Sequence, residues 1–285
     1  MKLSVVIPTL GRDDVLIDTV RALSRQSVAP LEILVVDQND PPFENVDTEM
    51  KRHPLVRHIK SATTGCWHNC NVGIQEARGD IVLFLDDDII PDERLVEMHL
   101  KNYGDPSVSG VAGRVEQPQN DLDPATIRVV GKYHPWSGKV TGNFNARARA
   151  EVDSVPGGNV SFRIEVLKEI GGFDVGYGGN GYYGEADIAL RVVESGHRIV
   201  FDPDATLKHL MAARGGNRVA DKARHTYFFL KNGLRLARQH SPRAAIPWIV
   251  SQMIAYSAAK SVYNANPRIF GLGLKAIWEG LICDS

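Results

Sequence analysis

The sequence predicts a doubly wound α/β sheet followed by a C-terminal helical extension. Two observations carry the sheet. Short apolar runs rich in β-branched residues recur along the first half of the chain, as strands covered on both faces do. Segments with apolar residues at helical spacing alternate with them, the pattern of βαβ units. A third observation carries the extension: beyond about residue 215 the alternation stops and the chain turns basic and helical.

The elements follow in order. Leu3 to Ile7 is apolar but for Ser4 and reads as a first strand. Val15, Leu16, Val20 and Leu23 then recur at helical spacing, with Asp13 placed to cap. Leu31 to Asp37 is a second buried strand, and Val56 to Lys60 a weaker third. Asn69 to Arg78 is expected as a helix stopped by Gly79. Ile81 to Leu85 is a strand that runs into Asp86, Asp87 and Asp88, and Pro91 is expected to open the next helix. Residues 117–150 are polar and turn-rich, as in an irregular insertion. A strand and a helix from about Arg163 follow, stopped by Gly171 and Gly172. "YGGNGYYG" is a loop, and "EADIALRVVESGH" a helix. "RIVFDPDATLKHL" is read as two strands joined by a turn at Asp202 and Pro203, ending at His209. The boundary between a sheet domain, residues 1–215, and the extension, residues 216–285, is placed here.

The 285 residues suit one large domain with an appendage. A net charge of −1 gives no general pull toward nucleic acid. From Val219 on, however, Lys222, Arg224, Lys231, Arg235, Arg238, Arg243, Lys260, Arg268 and Lys275 face only Asp221, Glu279 and Asp284. The cysteines, Cys66, Cys70 and Cys283, are too few and too odd for a disulfide framework, so a reducing, cytoplasmic setting is expected. Cys66, His68 and Cys70 match no common zinc spacing and read as ordinary residues. The apolar start is too short for a signal peptide. Residues 246–263 are near spanning length but broken by Ser251, Gln252, Ser257 and Lys260.

Polar groups collect where strands end, which is where open α/β sheets bind ligands. They are Thr9 to Arg12, Asp37, Asp86 to Asp88, and His209. Three adjacent carboxylates repel and need either water or a counter-charge. Alternate residues of a strand share a face, so Asp86 and Asp88 together suit a hard divalent cation, and an imidazole extends the set toward manganese. A solvated turn with Asp92 and Glu93 starting a helix is the plainer reading of the same run. Neither a dinucleotide-binding glycine motif nor a Walker loop follows the first strand.

These stretches resemble the family 2 glycosyltransferases, inverting enzymes of the GT-A fold, a mixed sheet flanked by helices. The resemblance covers roughly residues 3–210. "SVVIPTLGR" is similar to the family's first strand and turn, with Pro8, Thr9 and Arg12 on the nucleotide-sugar side. "LEILVVDQND" resembles its second strand, implying that Asp37 contacts the base. "DIVLFLDDDIIP" resembles the Asp-x-Asp stretch, implying Asp86 and Asp87 at the nucleotide and Asp88 at the metal, with His209 completing the metal site. "GGNVSFRIEVLKEIGGFD" resembles the sugar-lining segment and brings in Asn159. "GEADIALRV" is similar to the helix start that supplies the general base, either Glu185 or Asp187. The chain departs from the family at Asn69-Cys70-Asn71, where an arginine is usual, so diphosphate contacts fall to Arg214 or Arg218, with Asn71 on the nucleotide-sugar side. Trp67, Tyr182 and Tyr183 are placed as acceptor aromatics.

The resemblance implies Mn²⁺ or Mg²⁺ as cofactor, a nucleotide-diphosphate sugar as donor, and a glycan or lipid-linked saccharide as acceptor in surface polysaccharide synthesis. The basic extension suggests docking on the inner face of a membrane, or else packing against the domain or a second copy. A sugar nucleotidyltransferase and a non-catalytic nucleotide-sugar-binding module are the rival readings. Oligomeric state is left open.

Overall fold

The computed structural model describes residues 1–118 and 122–282. Its elements in chain order are β1 (Leu3–Thr9), α1 (Asp14–Leu23), β2 (Glu32–Asp37), α2 (Glu44–Met50), β3 (Val56–Lys60), α3 (Cys66–Glu76), β4 (Ile81–Leu85), β5 (Ile89–Pro91), α4 (Leu95–Asn102) and β6 (Val108–Glu116). There follow β7 (Lys132–His134), β8 (Lys139–Thr141), β9 (Ala150–Glu151), β10 (Asn159–Arg163), α5 (Ile164–Glu169), α6 (Gly184–Glu194) and β11 (Arg198–His209). Three helices end the chain: α7 (Lys222–His240), α8 (Ile246–Tyr263) and α9 (Pro267–Ile282).

Among the described residues one mixed sheet runs β3-β2-β1-β4-β10-β6-β11-β5, with β9 on β11. The first four strands are parallel. β10 is antiparallel to both β4 and β6, and β11 is parallel to β6. The apolar runs are nearly continuous because both faces are covered. Val6, Val82 and Phe84 pack with Trp67, Ile74, Leu167 and Ile188 from α3, α5 and α6. Their strand neighbours Val5, Ile7 and Leu83 pack with Leu16, Val20, Leu95 and Met98 from α1 and α4.

Four expectations change. Pro91 does not open a helix; it ends β5, which pairs with β11 so that His209 lies opposite Ile89. The helix starts at Leu95, after Asp92 accepts the Arg94 amide at 3.0 Å. The helix expected from Asn69 begins earlier, at Cys66. Residues 198–209 form one strand rather than two, and the Asp202-Pro203 stretch is a bulge between Asp202 and Thr206. The insertion contains the β7–β8 hairpin, and its Val130, Tyr133 and Ala146 join the core.

The extension is also packed in. Leu236 of α7 belongs to the same core cluster as Ile188 and Val192. Arg235 holds Asp174 at 2.7 Å, and His240 holds Asp187 of α6 at 3.0 Å. Among the described residues no helix is long and apolar enough to cross a membrane. Cys66 and Cys70 are free thiols; Cys283 lies outside the described residues.

Candidate active site

β4 carries its apolar side chains to Leu85 and then delivers the three aspartates at the carboxyl edge of the sheet. The counter-charge they need comes first from the protein. Arg12, in the turn after β1, pairs with Asp87 and lies 2.7 Å from Asp88. Thr9 donates to Asp87 at 2.7 Å. Asp88 also meets His209 at 3.1 Å and accepts the Ala212 amide at 2.7 Å. The β5–β11 pairing explains that meeting, because it brings the end of β11 beside the aspartate run.

The three carboxyls are therefore unequal. Burial would raise Asp88, but His209, Arg12 and the Ala212 amide outweigh it and hold Asp88 below the usual range. Burial wins at Asp87, which is raised despite Arg12. At Asp86 burial and the charges of Asp87 and Asp88 outweigh His209, 3.7 Å away, and the more remote charge of Arg12, and push it up to about 6. Burial alone would lower His209, but the bond to Asp88 and both acidic charges raise it. Among the described residues Asp86, Asp88 and His209 are the cluster that could hold a metal ion, with ligand atoms within 4.8 Å of one another. Two carboxylates and an imidazole, one carboxylate under-compensated, form a donor set that fits a divalent cation.

Two cavities flank this cluster. One, of about 640 Å³, is lined by Pro8, Arg12, Gln38, Trp67, Asp86 to Asp88, Asn217, Arg218 and His225. The other, of about 720 Å³, runs under the insertion and is lined by Gln117, Asn143, Asn145, Val155 and Pro156. Asp86, Gly157, Tyr182, Glu185, His209 and Met211 belong to both and form a common wall. Glu185 opens α6 just after the left-handed Tyr183. Burial and the charge of Asp86 raise its carboxyl to about 7, against the amides of Glu185 and Tyr183 that favour the anion.

Several expected site residues are placed elsewhere. Asp187 is fully buried and held by Arg191 at 2.8 Å and by His240, so it faces the α6–α7 contact and not the cavities. Asn71 clamps Phe173 with two bonds of 2.8 Å. Asn159 is buried, bonded to His99 and to the carbonyls of Arg114 and Ala205, each at 2.9 Å. Asp37 is spent on His58 and Asn39, and the cavity receives its neighbour Gln38 instead. Thr9 is covered and reaches the site only through Asp87. Arg214 offers its carbonyl to Arg12 at 3.0 Å, whereas the neighbouring Arg218 lines the first cavity. Trp67 lines that cavity and donates to the Gly181 carbonyl at 2.9 Å. Tyr182 lines both cavities, while Tyr183 turns toward Phe229. Gln117, Asn143, Asn145 and His225 were not read from the sequence. The amides lie in the irregular insertion, where no periodicity marks a face, and His225 sits in a helix whose basic residues hide it.

The chain resembles known proteins along most of its length. Residues 4–171 match the family described as Glycosyl transferase family 2. Glucosyl-dolichyl phosphate glucuronosyltransferase of Haloferax volcanii is 26% identical over 223 residues, which is 73% of this chain and 69% of the relative. Pre-mycofactocin glycosyltransferase of Mycobacterium tuberculosis is 27% identical over 237 residues, 79% of this chain but only 46% of that protein. Among solved structures, the mannosyltransferase PcManGT from Pyrobaculum calidifontis, in complex with GDP-Man and Mn²⁺, is similar over 100% of this chain and 76% of its own, with a TM-score of 0.61 and 17% identity. GalNAc-T7 with UDP, GalNAc and Mn²⁺ is similar over 84% of this chain and 48% of its own, at a TM-score of 0.66 and 18% identity. Identities this low speak for the fold, which is GT-A. With the family match spanning more than half of the sequence, the chain belongs to glycosyltransferase family 2.

Proposed function

We propose that the protein is an inverting, metal-assisted glycosyltransferase. It would move a sugar from a nucleotide-diphosphate donor to a hydroxyl of a glycan or lipid-linked acceptor in surface polysaccharide biosynthesis. The observation that carries this reading is the common wall: a carboxyl poised near neutrality, Glu185, beside an acidic cluster that fits a cation, between two cavities. The names of the relatives agree with it, since one acts on a dolichyl phosphate glucoside and one solved neighbour holds GDP-Man with Mn²⁺.

The cavity beside Pro8, Arg12 and Gln38 would hold the nucleotide, with Arg218 near its phosphates. The cavity with Gln117, Asn143 and Asn145 would hold the sugars, because amides suit hydroxyl recognition. Asp86, Asp88 and His209 would hold Mn²⁺ or Mg²⁺, which when bound supplies positive charge against the leaving diphosphate. Glu185 would take the proton of the acceptor hydroxyl. Attack from the face opposite the diphosphate inverts the anomeric centre. Of the two acids considered for this role we favour Glu185, because Asp187 is buried against Arg191 and His240. The sheet domain, residues 1–215, would carry the metal site and the base, and residues 216–285 would lend Arg218 to the phosphates and place the enzyme at a cytoplasmic membrane face.

A panel of nucleotide-sugars with and without Mn²⁺ tests the reading. Metal-dependent release of nucleoside diphosphate supports it and names the donor; release of pyrophosphate from nucleoside triphosphate and sugar phosphate would point to a nucleotidyltransferase. Glu185→Gln is expected to lower transfer by about 10²–10⁴-fold, the range for lost general-base help, while nucleotide binding persists. Unchanged turnover in that variant would remove Glu185 from the role.

A further inference from the structure

The last helices carry apolar surface that packing within the chain leaves uncovered. α8 buries Ile249 and Ser257. Its opposite face bears Trp248, Ala255, Ala259, Val262 and Tyr263 at helical spacing, all exposed. Val262 and Tyr263 are 82% and 86% exposed, and Trp248 is 61% exposed. On α9, Leu274, Trp278 and Leu281 form a second exposed stripe. Exposed apolar surface of this kind marks an interaction site, and tryptophan and tyrosine among basic residues suit the boundary between water and lipid. Among the described residues no helix is long and apolar enough to cross a bilayer, so such a face would lie on one.

A row of rings joins this surface to the catalytic cleft. Tyr182, on the common wall, meets Phe229 of α7 at 5.7 Å between centroids, and Phe229 meets Tyr256 of α8 at 5.6 Å. Cations border the row: Arg218 lines the nucleotide cavity and Lys260 lies 5.6 Å from the centre of the Tyr256 ring, while the His225 ring, its centroid 5.5 Å from that of Tyr182, lines the same cavity. Rings suit an isoprenoid chain, cations suit a phosphate, and Glu185 waits at the inner end for a hydroxyl.

We infer that Tyr182, Phe229 and Tyr256 form an acceptor track for a saccharide carried on an isoprenoid phosphate, and that the α8 and α9 stripes seat the enzyme on the bilayer holding that lipid. The inference rests on the reading of Glu185 as base and narrows its acceptor to the lipid-linked class. In the transfer, Glu185 takes the hydroxyl proton and the hydroxyl oxygen bonds to the anomeric carbon. The bond from that carbon to the donor phosphate breaks, and nucleoside diphosphate leaves with the electron pair.

The test is flotation of the full chain with three kinds of vesicle: phosphatidylcholine alone, phosphatidylcholine with phosphatidylglycerol, and phosphatidylcholine with polyisoprenyl monophosphate. The protein is expected to float with all three and most strongly with the last. The combined variant Trp248→Ser, Val262→Ser, Tyr263→Ser, at exposed positions, is expected to lower binding to every vesicle at least about tenfold. Tyr256→Ser and Lys260→Glu are each expected to remove the polyisoprenyl increment while leaving binding to plain vesicles. Absence of flotation, or no gain from polyisoprenyl phosphate over phosphatidylglycerol, would overturn the proposal. So would sedimentation showing a dimer that the combined variant dissolves, because a second copy would then cover the face. Thermal stabilisation by UDP or GDP with MnCl₂ is measured alongside in the wild type and the combined variant. Its absence from the wild type would count against the active-site reading, and failure of flotation alone against the lipid track.

Discussion

At Glu185 the protein holds a proton that the unfolded chain gives up earlier. The folded carboxyl is raised to about 7 while the unfolded one titrates near 4.5, so between those values the folded state binds more protons. Stability therefore falls as pH rises across that window and levels off above it. Relative to Glu185→Gln, the wild type is expected to lose denaturant midpoint from the ordinary carboxylate range up to about pH 7, and to show no further difference beyond. In the proposed role of base Glu185 would have to be ionised, so on that reading kcat/KM for transfer is expected to climb over the same upper part of the window. Arg12 is the second decisive residue, since it is buried with Asp87 and Asp88 as partners. Arg12→Met leaves those carboxylates without their cation and is expected to cost about 3–5 kcal/mol at neutral pH, as for other broken buried pairs. The deficit is expected to shrink in acid as the carboxyls protonate, read from denaturant midpoints against pH. The sequence made the acidic run and His209 legible because strand ends announce themselves. It did not show Arg12 as their counter-charge, because that pairing crosses from one strand end to another.

Elements were legible where one periodicity governed them. The strands from Leu3, Leu31 and Ile81 stood out because alternate residues are buried on opposite faces. β6 was not read from the sequence, because Gly110 and Gly113 interrupt its apolar pattern. The structure shows why they are there: a Cβ on Gly110 would meet the Phe162 ring at 2.8 Å, and one on Gly113 the Asn159 amide at 2.3 Å and the Ala205 carbonyl at 2.4 Å. Gly113→Ala is expected to destabilise by about 1–3 kcal/mol, the usual cost of overpacking, with a matching fall in Tm. Short α2 was also missed, and the β5 strand was hidden by Pro91, which reads as a helix start and serves here as the end of an edge strand.

For the whole molecule, the alternation of strands and helices gave the fold class but not the strand order. That order depends on β10 returning between β4 and β6 and on β5 closing the far edge, contacts far apart in sequence. The extension is similar: its basic, helical character was legible and packing against the domain was one open reading, while the residues that make the contact were not. Leu236, Arg235 and His240 tie α7 to the sheet domain and to the helix that bears Glu185. Removal of residues 219–285 would uncover this core and leave Asp187 without His240. The truncated chain is expected to be largely insoluble or to melt well below the intact protein, checked by soluble yield and thermal melting. Finally, the two cavities that share one wall amount to adjoining rooms with a single partition. A compound built with a nucleoside at one end and a sugar at the other could occupy both together. Tethering of that kind is worth about 10²–10⁴-fold over the separate halves, which makes such a bridged molecule the natural template for a selective inhibitor.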